Sequence, residues 1–206
     1  MKFEIWAALI LPLSVCIPPK MIQHETTQVD TPRAEQQMEQ QVFEVFRDRL
    51  AGAKPLLGSG LSGLAHHLIQ LCHYYHFDPT FVLAMIEVES GFRTDAVSPA
   101  GAMGLMQLMP SVAAQITSRQ DIDQEESARL LSNPFTNLTI GIAYLDWLRR
   151  RYQGRSLYYT VAAYNIGPAK MDELLSRKDF KPVKTIKYYE AIQRQTRLLK
   201  ERLLNV

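Results

Sequence analysis

Apolar residues recur every three or four positions over most of the chain from Gln37 onward, which predicts a mainly α-helical protein. The predicted stripes are Val42, Phe43, Phe46 and Leu50; Leu64, Leu68, Leu71, Cys72 and Tyr75; Phe81, Leu83, Ala84, Ile86 and Val88; and Leu138, Ile142, Leu145 and Leu148. Further helices are expected at 158–164, after Pro168 and at 184–203. No stretch alternates at period two, so at most a short hairpin is expected at 97–103.

Start and stop signals bound two of these helices. Asp78-Pro79 and Asn133-Pro134 each place a capping side chain before a proline, which suits the first turn of a helix. Gly91 is expected to end the first of the two, which puts Glu89 in its last turn.

The start of the chain has a different composition from the rest. The apolar run from Ile5 to Val15 is too short to span a bilayer but matches the apolar region of a secretory signal. Leu13-Ser14-Val15-Cys16 resembles a bacterial lipobox. We therefore interpret 1–16 as a signal peptide or lipoprotein signal, with an uncleaved apolar anchor as the alternative. Residues 17–36, rich in Pro, Thr, Gln and Glu, are expected to be a flexible tether.

The remaining chain divides at a segment rich in Gly and Pro. Residues 37–61 are expected to form an N-terminal helix followed by a linker, since Pro55 and Gly58 interrupt the helical pattern. Residues 62–206 are expected to form the compact domain. A chain of 206 residues, 47% of them hydrophobic, suits one such domain with appendages.

Charge and cysteine usage exclude some classes of protein. A net charge of +2 is too small to indicate nucleic-acid binding, although it is compatible with an acidic glycan. The two cysteines form no disulfide framework or zinc spacing, so neither a metal nor another cofactor is predicted. Cys72 lies in an apolar helical run and is expected to be a small buried hydrophobe.

Glu89 is the candidate acid. Ile86, Val88 and Phe92 lie near it in sequence, and apolar surroundings raise a carboxyl pKa because burial disfavours the charged form. The alternative is an ordinary solvated Glu. Glu87 points about 200° away around the helix, so only one of the two can face a given cleft. The residues alone do not choose between them.

Residues 98–104 are rich in turn formers, and two segments, one following this turn and one at a helix end, offer groups that suit a sugar. In Gly104–Pro110, Gln107 is a candidate partner for hydroxyl or acetamido groups and Met109 for a sugar face, while Met106 and Leu108 are expected to pack in the core. Ala163–Gly167 places a phenol and an amide at a helix end, where ordinary helix-stop chemistry is the alternative.

Together these segments resemble the soluble (SLT-type) lytic transglycosylases, which cut bacterial peptidoglycan. The resemblance covers roughly residues 64–200 and is carried by Glu89–Phe92, Ser98–Pro110, Ala163–Gly167 and Lys184–Tyr188. The last segment departs from the family pattern, with Lys184 in place of the usual Glu and Tyr189 in place of an apolar residue.

The resemblance implies a mainly α, lysozyme-like catalytic domain of the α+β superfamily, with a glycan-binding groove. It implies Glu89 as a single acid–base group acting on peptidoglycan glycan strands, with the muramyl C6 hydroxyl attacking C1 to leave a 1,6-anhydro sugar. Contacts to substrate are implied for Ser98, Gln107, Met109, Tyr164, Asn165 and Tyr188. The protein is then expected in the periplasm or cell envelope, with possible membrane attachment through Cys16.

Two other functions fit the same residues. A hydrolytic muramidase on this scaffold would use an activated water, with Asp95 as the carboxylate able to serve as its base. A non-catalytic glycan-binding or assembly module would tolerate the loss of the Glu89 acid.

Overall fold

A computed structural model describes residues 33–50, 60–117, 123–177 and 183–204. Within these ranges the chain forms α-helices and no strand, which confirms the predicted mainly α class. The helices are α1 (Arg33–Leu50), α2 (Gly60–Tyr75), α3 (Pro79–Ser90), α4 (Pro110–Thr117), α5 (Gln124–Ser132), α6 (Pro134–Arg151), α7 (Leu157–Ile166), α8 (Pro168–Ser176) and α9 (Val183–Leu204).

The expected hairpin is reduced to two isolated antiparallel bridges, one joining Val97 to Met103 and one joining Met103 to Leu108. The segment interpreted as a signal lies outside the described residues, as does most of the tether. Residues 33–36 of the predicted tether already belong to α1, which begins before the predicted start at Gln37.

The predicted boundaries of α3 are formed by the expected local chemistry. The Asp78 carboxylate accepts a hydrogen bond from the Thr80 backbone N–H at 2.9 Å, and Pro79 occupies the first turn. Gly91 ends the helix in the left-handed conformation, with φ 58°, and its N–H donates to the Glu87 carbonyl at 3.0 Å. Glu89 therefore lies in the last turn of α3, as predicted.

One hydrophobic core joins α1 to the other helices. The largest fully buried side chains are Phe46, Phe92, Leu68, Leu71, Leu83, Met85, Ile86, Leu105, Met106, Leu108, Ile116 and Leu131. Phe46 belongs to α1, so this helix shares its core with the domain expected to begin at residue 62. Cys72 is buried as predicted, and burial raises the pKa of its thiol.

Helix α3, whose last turn holds Glu89, packs along α9, which carries Tyr188, and α9 also packs against α7. This packing brings together residues that are far apart in sequence at the C-terminal end of α3. In the part of the chain that the structure describes, no helix combines the length and apolar character needed to cross a bilayer.

Candidate active site

Glu89 is half-buried at the end of α3, its carboxyl group is desolvated by the surrounding protein, and its pKa is raised from 4.5 to about 7. Burial is the main cause, because the charged carboxylate loses solvation. The Tyr188 hydroxyl donates a hydrogen bond to Glu89 Oε1, and this bond lowers the pKa against the larger effect of burial. The result is a carboxyl group that can gain or lose a proton near neutral pH.

Two phenols, those of Tyr188 and Tyr164, interact with this carboxyl group. Tyr188 lies on α9 and Tyr164 near the end of α7, and the Tyr164 hydroxyl donates to the Met106 carbonyl at 2.8 Å. Burial, followed by the charge of Glu89, raises the pKa of both phenols well above the usual value. Both therefore stay protonated at neutral pH. The Tyr164 ring also packs on Tyr144, with centroids 5.4 Å apart.

Ser90 holds the end of α3 to the turn that follows. Its side chain is buried, and its hydroxyl lies 2.8 Å from the Leu105 carbonyl and 3.2 Å from the Ile86 carbonyl. The Glu89-Ser90 pair thus combines an acid with a structural tie, since the serine fixes the position of the turn relative to the acid.

Asn137 of α6 is the residue that sequence reasoning missed. Its side chain is fully buried; Oδ1 accepts from the Met106 N–H at 2.8 Å, and Nδ2 donates to the Met103 carbonyl at 3.0 Å and the Leu131 carbonyl at 2.9 Å. A polar residue inside an apolar helix stripe was the available signal, because buried amides in native proteins are hydrogen-bonded.

The turn also approaches α6 so closely that two glycines are required. A Cβ on Gly104 would lie 2.3 Å from Asn137 Nδ2 and 2.5 Å from the Leu131 carbonyl oxygen, and the residue has φ of 73°. A Cβ on Gly141 would lie 2.4 Å from Met106 Sδ. Met106 itself is fully buried and Leu108 almost so, as their predicted core role requires.

The other candidate substrate contacts differ in whether their side chains already form hydrogen bonds within the protein. Gln107 Nε2 donates to the Ala96 carbonyl at 3.1 Å and the Gly104 carbonyl at 3.0 Å, and Ser98 Oγ accepts from the Ala102 N–H at 3.0 Å. Both side chains therefore help to shape their own loop.

Met109 is 39% exposed, and Asn165 is exposed at the end of α7. The structure thus brings Tyr164 and Tyr188 to the acid, ties Ser98 and Gln107 into the adjacent loop, and leaves Met109 and Asn165 at the surface.

The two acids that competed with Glu89 in the sequence have other surroundings. Glu87 Oε2 lies 3.1 Å from Arg49 Nη2 of α1, so its carboxylate is ion-paired. Asp95 is exposed on the loop after α3. The Lys184 side chain, at the departure from the family pattern, lies outside the described part of the structure. In the described ranges no group of three or more His, Cys, Asp or Glu side chains is placed to hold a metal ion.

A helical domain with a buried, protonatable Glu at a helix end defines a class of candidate acid–base enzymes, and comparison with known proteins identifies the family. The transglycosylase SLT domain model matches residues 68–187, more than half of the 206-residue chain. The chain belongs to this family.

Curated relatives match over part of the chain. It is 34% identical over 92 residues to the soluble lytic murein transglycosylase of Escherichia coli K12, covering 45% of this chain and 14% of the relative. It is 38% identical over 100 residues to the membrane-bound lytic murein transglycosylase C of Actinobacillus pleuropneumoniae serotype 5b, covering 45% of this chain and 27% of the relative. The chain therefore spans less than a third of the length of these relatives.

A solved structure supports the fold. The crystal structure of an inactive mutant of the lytic transglycosylase Slt from Pseudomonas aeruginosa aligns with a TM-score of 0.56 at 23% identity, covering 79% of this chain and 30% of that chain. At this level of identity the match shows a shared fold, in agreement with the mainly α, lysozyme-like architecture expected from the sequence.

Proposed function

We propose that the protein is a peptidoglycan lytic transglycosylase that cleaves the β-1,4 bond between N-acetylmuramic acid and N-acetylglucosamine and leaves 1,6-anhydro ends. The observation that carries the proposal is Glu89, buried at the end of α3 with its pKa raised to about 7 and its carboxyl group held by Tyr188. Membership of the SLT family supports the substrate class.

In the proposed reaction, Glu89 begins protonated and donates its proton to the glycosidic oxygen as the bond from that oxygen to muramyl C1 breaks. The C6 hydroxyl of the same muramyl residue attacks C1 and loses its proton to the Glu89 carboxylate. One C–O bond breaks and one forms, and the acid returns to its starting state. A pKa near the working pH suits a group that must act both as acid and as base.

The two phenols have separate roles in this reaction. Tyr188 orients the Glu89 carboxyl through its hydrogen bond and stabilises the carboxylate that exists after the first proton transfer. Tyr164 anchors the turn through the Met106 carbonyl, and its phenol, whose pKa burial raises, is near enough to Glu89 for the charge of the acid to raise that pKa further. The charge of Glu89 acts on both phenols, which stay protonated and can orient or stabilise the acid without taking its proton.

Substrate contacts are proposed for Ser98, Gln107, Met109 and Asn165, in addition to the two tyrosines. Met109 and Asn165 are accessible without any rearrangement. Gln107 uses its amide nitrogen within the loop, and its amide oxygen is an acceptor that those bonds do not use.

Product analysis tests the reaction. Purified peptidoglycan is digested in ¹⁸O-labelled water and the muropeptides are analysed by mass spectrometry. We expect unlabelled 1,6-anhydro products, about 18 mass units lighter than hydrolysis products because no water is added. Reducing ends that carry the label would instead identify a hydrolytic muramidase, and Asp95→Asn would then test the base. Binding to glycan without any cleavage would favour the non-catalytic module.

We also propose that the protein works in the bacterial envelope, in remodelling or turnover of the wall, and that Cys16 is its site of lipid attachment. The apolar run at 5–15 and the sequence around Cys16 support export. The intact mass of protein recovered from bacterial membranes tests this. A cleaved chain carrying acyl mass is the lipoprotein, a cleaved chain without it is only secreted, and a full-length cytosolic chain contradicts both.

A further inference from the structure

Helix α1 lies before the part of the chain that the SLT family model covers, which begins at residue 68. It is nevertheless built into the core: Val42 and Phe46 are fully buried, and Val45 and Leu50 are nearly so. It packs along α2, where Glu39 Oε2 lies 2.9 Å from His66 Nδ1. A helix outside the common domain therefore has a defined position in this protein.

The C-terminal end of α1 contacts one residue that precedes the catalytic acid in sequence and one that follows it. Phe46 meets Phe92 edge to face, with ring centroids 6.0 Å apart, and Phe92 is 1% exposed. Arg49 Nη2 lies 3.1 Å from Glu87 Oε2, and its guanidinium carbon lies 5.8 Å from the centre of the Phe92 ring. Glu87 precedes Glu89 by two positions and Phe92 follows it by three.

This short segment needs support from its surroundings. Gly91 and Phe92 have φ values of 58° and 64°, so the chain turns sharply just after the acid. For a bulky residue such as Phe92 this conformation is unfavourable, and it persists where packing holds it. The Phe46 ring supplies packing against the Phe92 side chain.

The same helix also contacts α9, which carries Tyr188. Gln41 Nε2 donates to the Leu203 carbonyl at 2.7 Å, and Asp48 pairs with Arg202. Thus α1 contacts both helices whose side chains form the Tyr188–Glu89 hydrogen bond.

We propose that α1 is a brace for the active site, in which Phe46 and Arg49 are positioning residues that hold the last turn of α3 so that Glu89 stays buried against Tyr188. This proposal stands on the contacts of α1 and concerns the same acid as the proposed function. Loosening the brace lets water reach the carboxyl group, whose charged form is then less disfavoured. Among the described residues, the titratable groups that interact with Glu89 are Tyr188, through a hydrogen bond, and Tyr164, through charge, and none of the variants below alters them.

The test compares Arg49→Gln with Arg47→Gln. Both changes remove one arginine charge from α1, but Arg47 pairs with Glu44 and Asp48 of its own helix. We expect Arg49→Gln to lower kcat about tenfold, since small misplacements of a catalytic group are costly, with little change in KM. The pH at which activity is half lost should also move downward. Arg47→Gln should change neither quantity, and Arg49→Lys should restore part of the activity.

A second readout does not depend on turnover. The carboxyl ¹³C resonance of Glu89 is assigned by its absence in Glu89→Gln and is followed against pH in the wild type and in the variants. The pH at the midpoint of this titration should be lower in Arg49→Gln and in Phe46→Leu than in the wild type. A midpoint and kcat in Arg49→Gln equal to those of Arg47→Gln overturn the brace. So does a loss of activity that merely follows the unfolded fraction at an unchanged midpoint. If the wild type cleaves no glycan while the midpoints shift as expected, the proposed function fails and the brace stands.

Discussion

The end of α3 and the neighbouring turn at 103–108 lie side by side but use their polar groups in opposite ways. The turn is held by side-chain hydrogen bonds. The Ser90 hydroxyl donates to the Leu105 carbonyl and the Tyr164 hydroxyl to the Met106 carbonyl. The Asn137 amide accepts from the Met106 N–H and donates to the Met103 carbonyl. Glu89 instead keeps a buried carboxyl group whose pKa is raised to about 7. The turn contributes stability, whereas the acid is held where ionisation is unfavourable.

The difference separates the residues that build the site from Glu89, the residue that we propose reacts. A satisfied buried amide or hydroxyl stabilises the fold. A carboxyl pKa that is raised from 4.5 to about 7 means that ionising the group in the folded protein costs about 3 kcal/mol more than in the unfolded chain. Proteins accept such a cost where function depends on it. Changes in the turn should therefore lower stability, and removal of the acid should lower activity without lowering stability.

The largest expected effect is the loss of activity in Glu89→Gln. The variant keeps the shape of the side chain but removes the transferable proton, so turnover of purified peptidoglycan should fall by at least ~10²-fold. Glu190→Gln is the matched control, since Glu190 is exposed on α9, and it should retain wild-type turnover. Near-normal turnover in purified, folded Glu89→Gln would contradict the assignment of the acid.

The next effect is the loss of stability in Asn137→Ala. The buried amide makes three hydrogen bonds, and its removal leaves backbone groups of the turn without partners, so the free energy of unfolding should fall by about 2–4 kcal/mol. Asn165→Ala removes the same amide from an exposed position and should leave the melting temperature almost unchanged while it weakens turnover. Equal melting temperatures for the two variants would show that the turn does not depend on Asn137.

In contrast to Asn137→Ala, the Glu89→Gln variant is expected to have a higher free energy of unfolding than the wild type at neutral pH. In the wild type, the stability associated with the protonated acid is present below the unfolded pKa of 4.5 and is lost as pH rises to the folded pKa of about 7. Gln does not ionise, so the variant should gain stability relative to the wild type across this window and keep a constant advantage at higher pH. Chemical denaturation at pH 4, 6 and 8 measures the difference. A constant difference at all three values would mean that Glu89 is not buried in this way.

The smallest expected effect is that of Tyr188→Phe, and it tests the pKa of Glu89 most directly. The wild-type pH profile should lose activity above about 7, because the acid must be protonated to donate. Removing the Tyr188 hydroxyl removes the hydrogen bond that lowers this pKa, so the falling limb should move to higher pH. An unchanged limb would indicate that another group controls it. Tyr189→Phe serves as the control, since it leaves the Tyr188 hydroxyl in place.

The sequence by itself determined the features that depend on neighbouring residues. Asp78-Pro79 and Gly91 set the start and the end of α3, and hence the position of Glu89 in its last turn, because capping groups and a left-handed glycine act within a few residues. The apolar stripes likewise determined the mainly helical class, since their spacing follows the turn of the helix.

The tertiary structure decided everything that depends on distant parts of the chain. Glu87 and Glu89 are alike as sequence, but packing pairs the first with Arg49 of α1 and buries the second against Tyr188, 99 positions away. Asn137 reaches Met106 across 31 positions, so a polar residue in an apolar helix stripe can indicate a buried amide but not the turn that this amide supports. Which carboxyl group is desolvated depends on the helices that cover it, and only their packing specifies that.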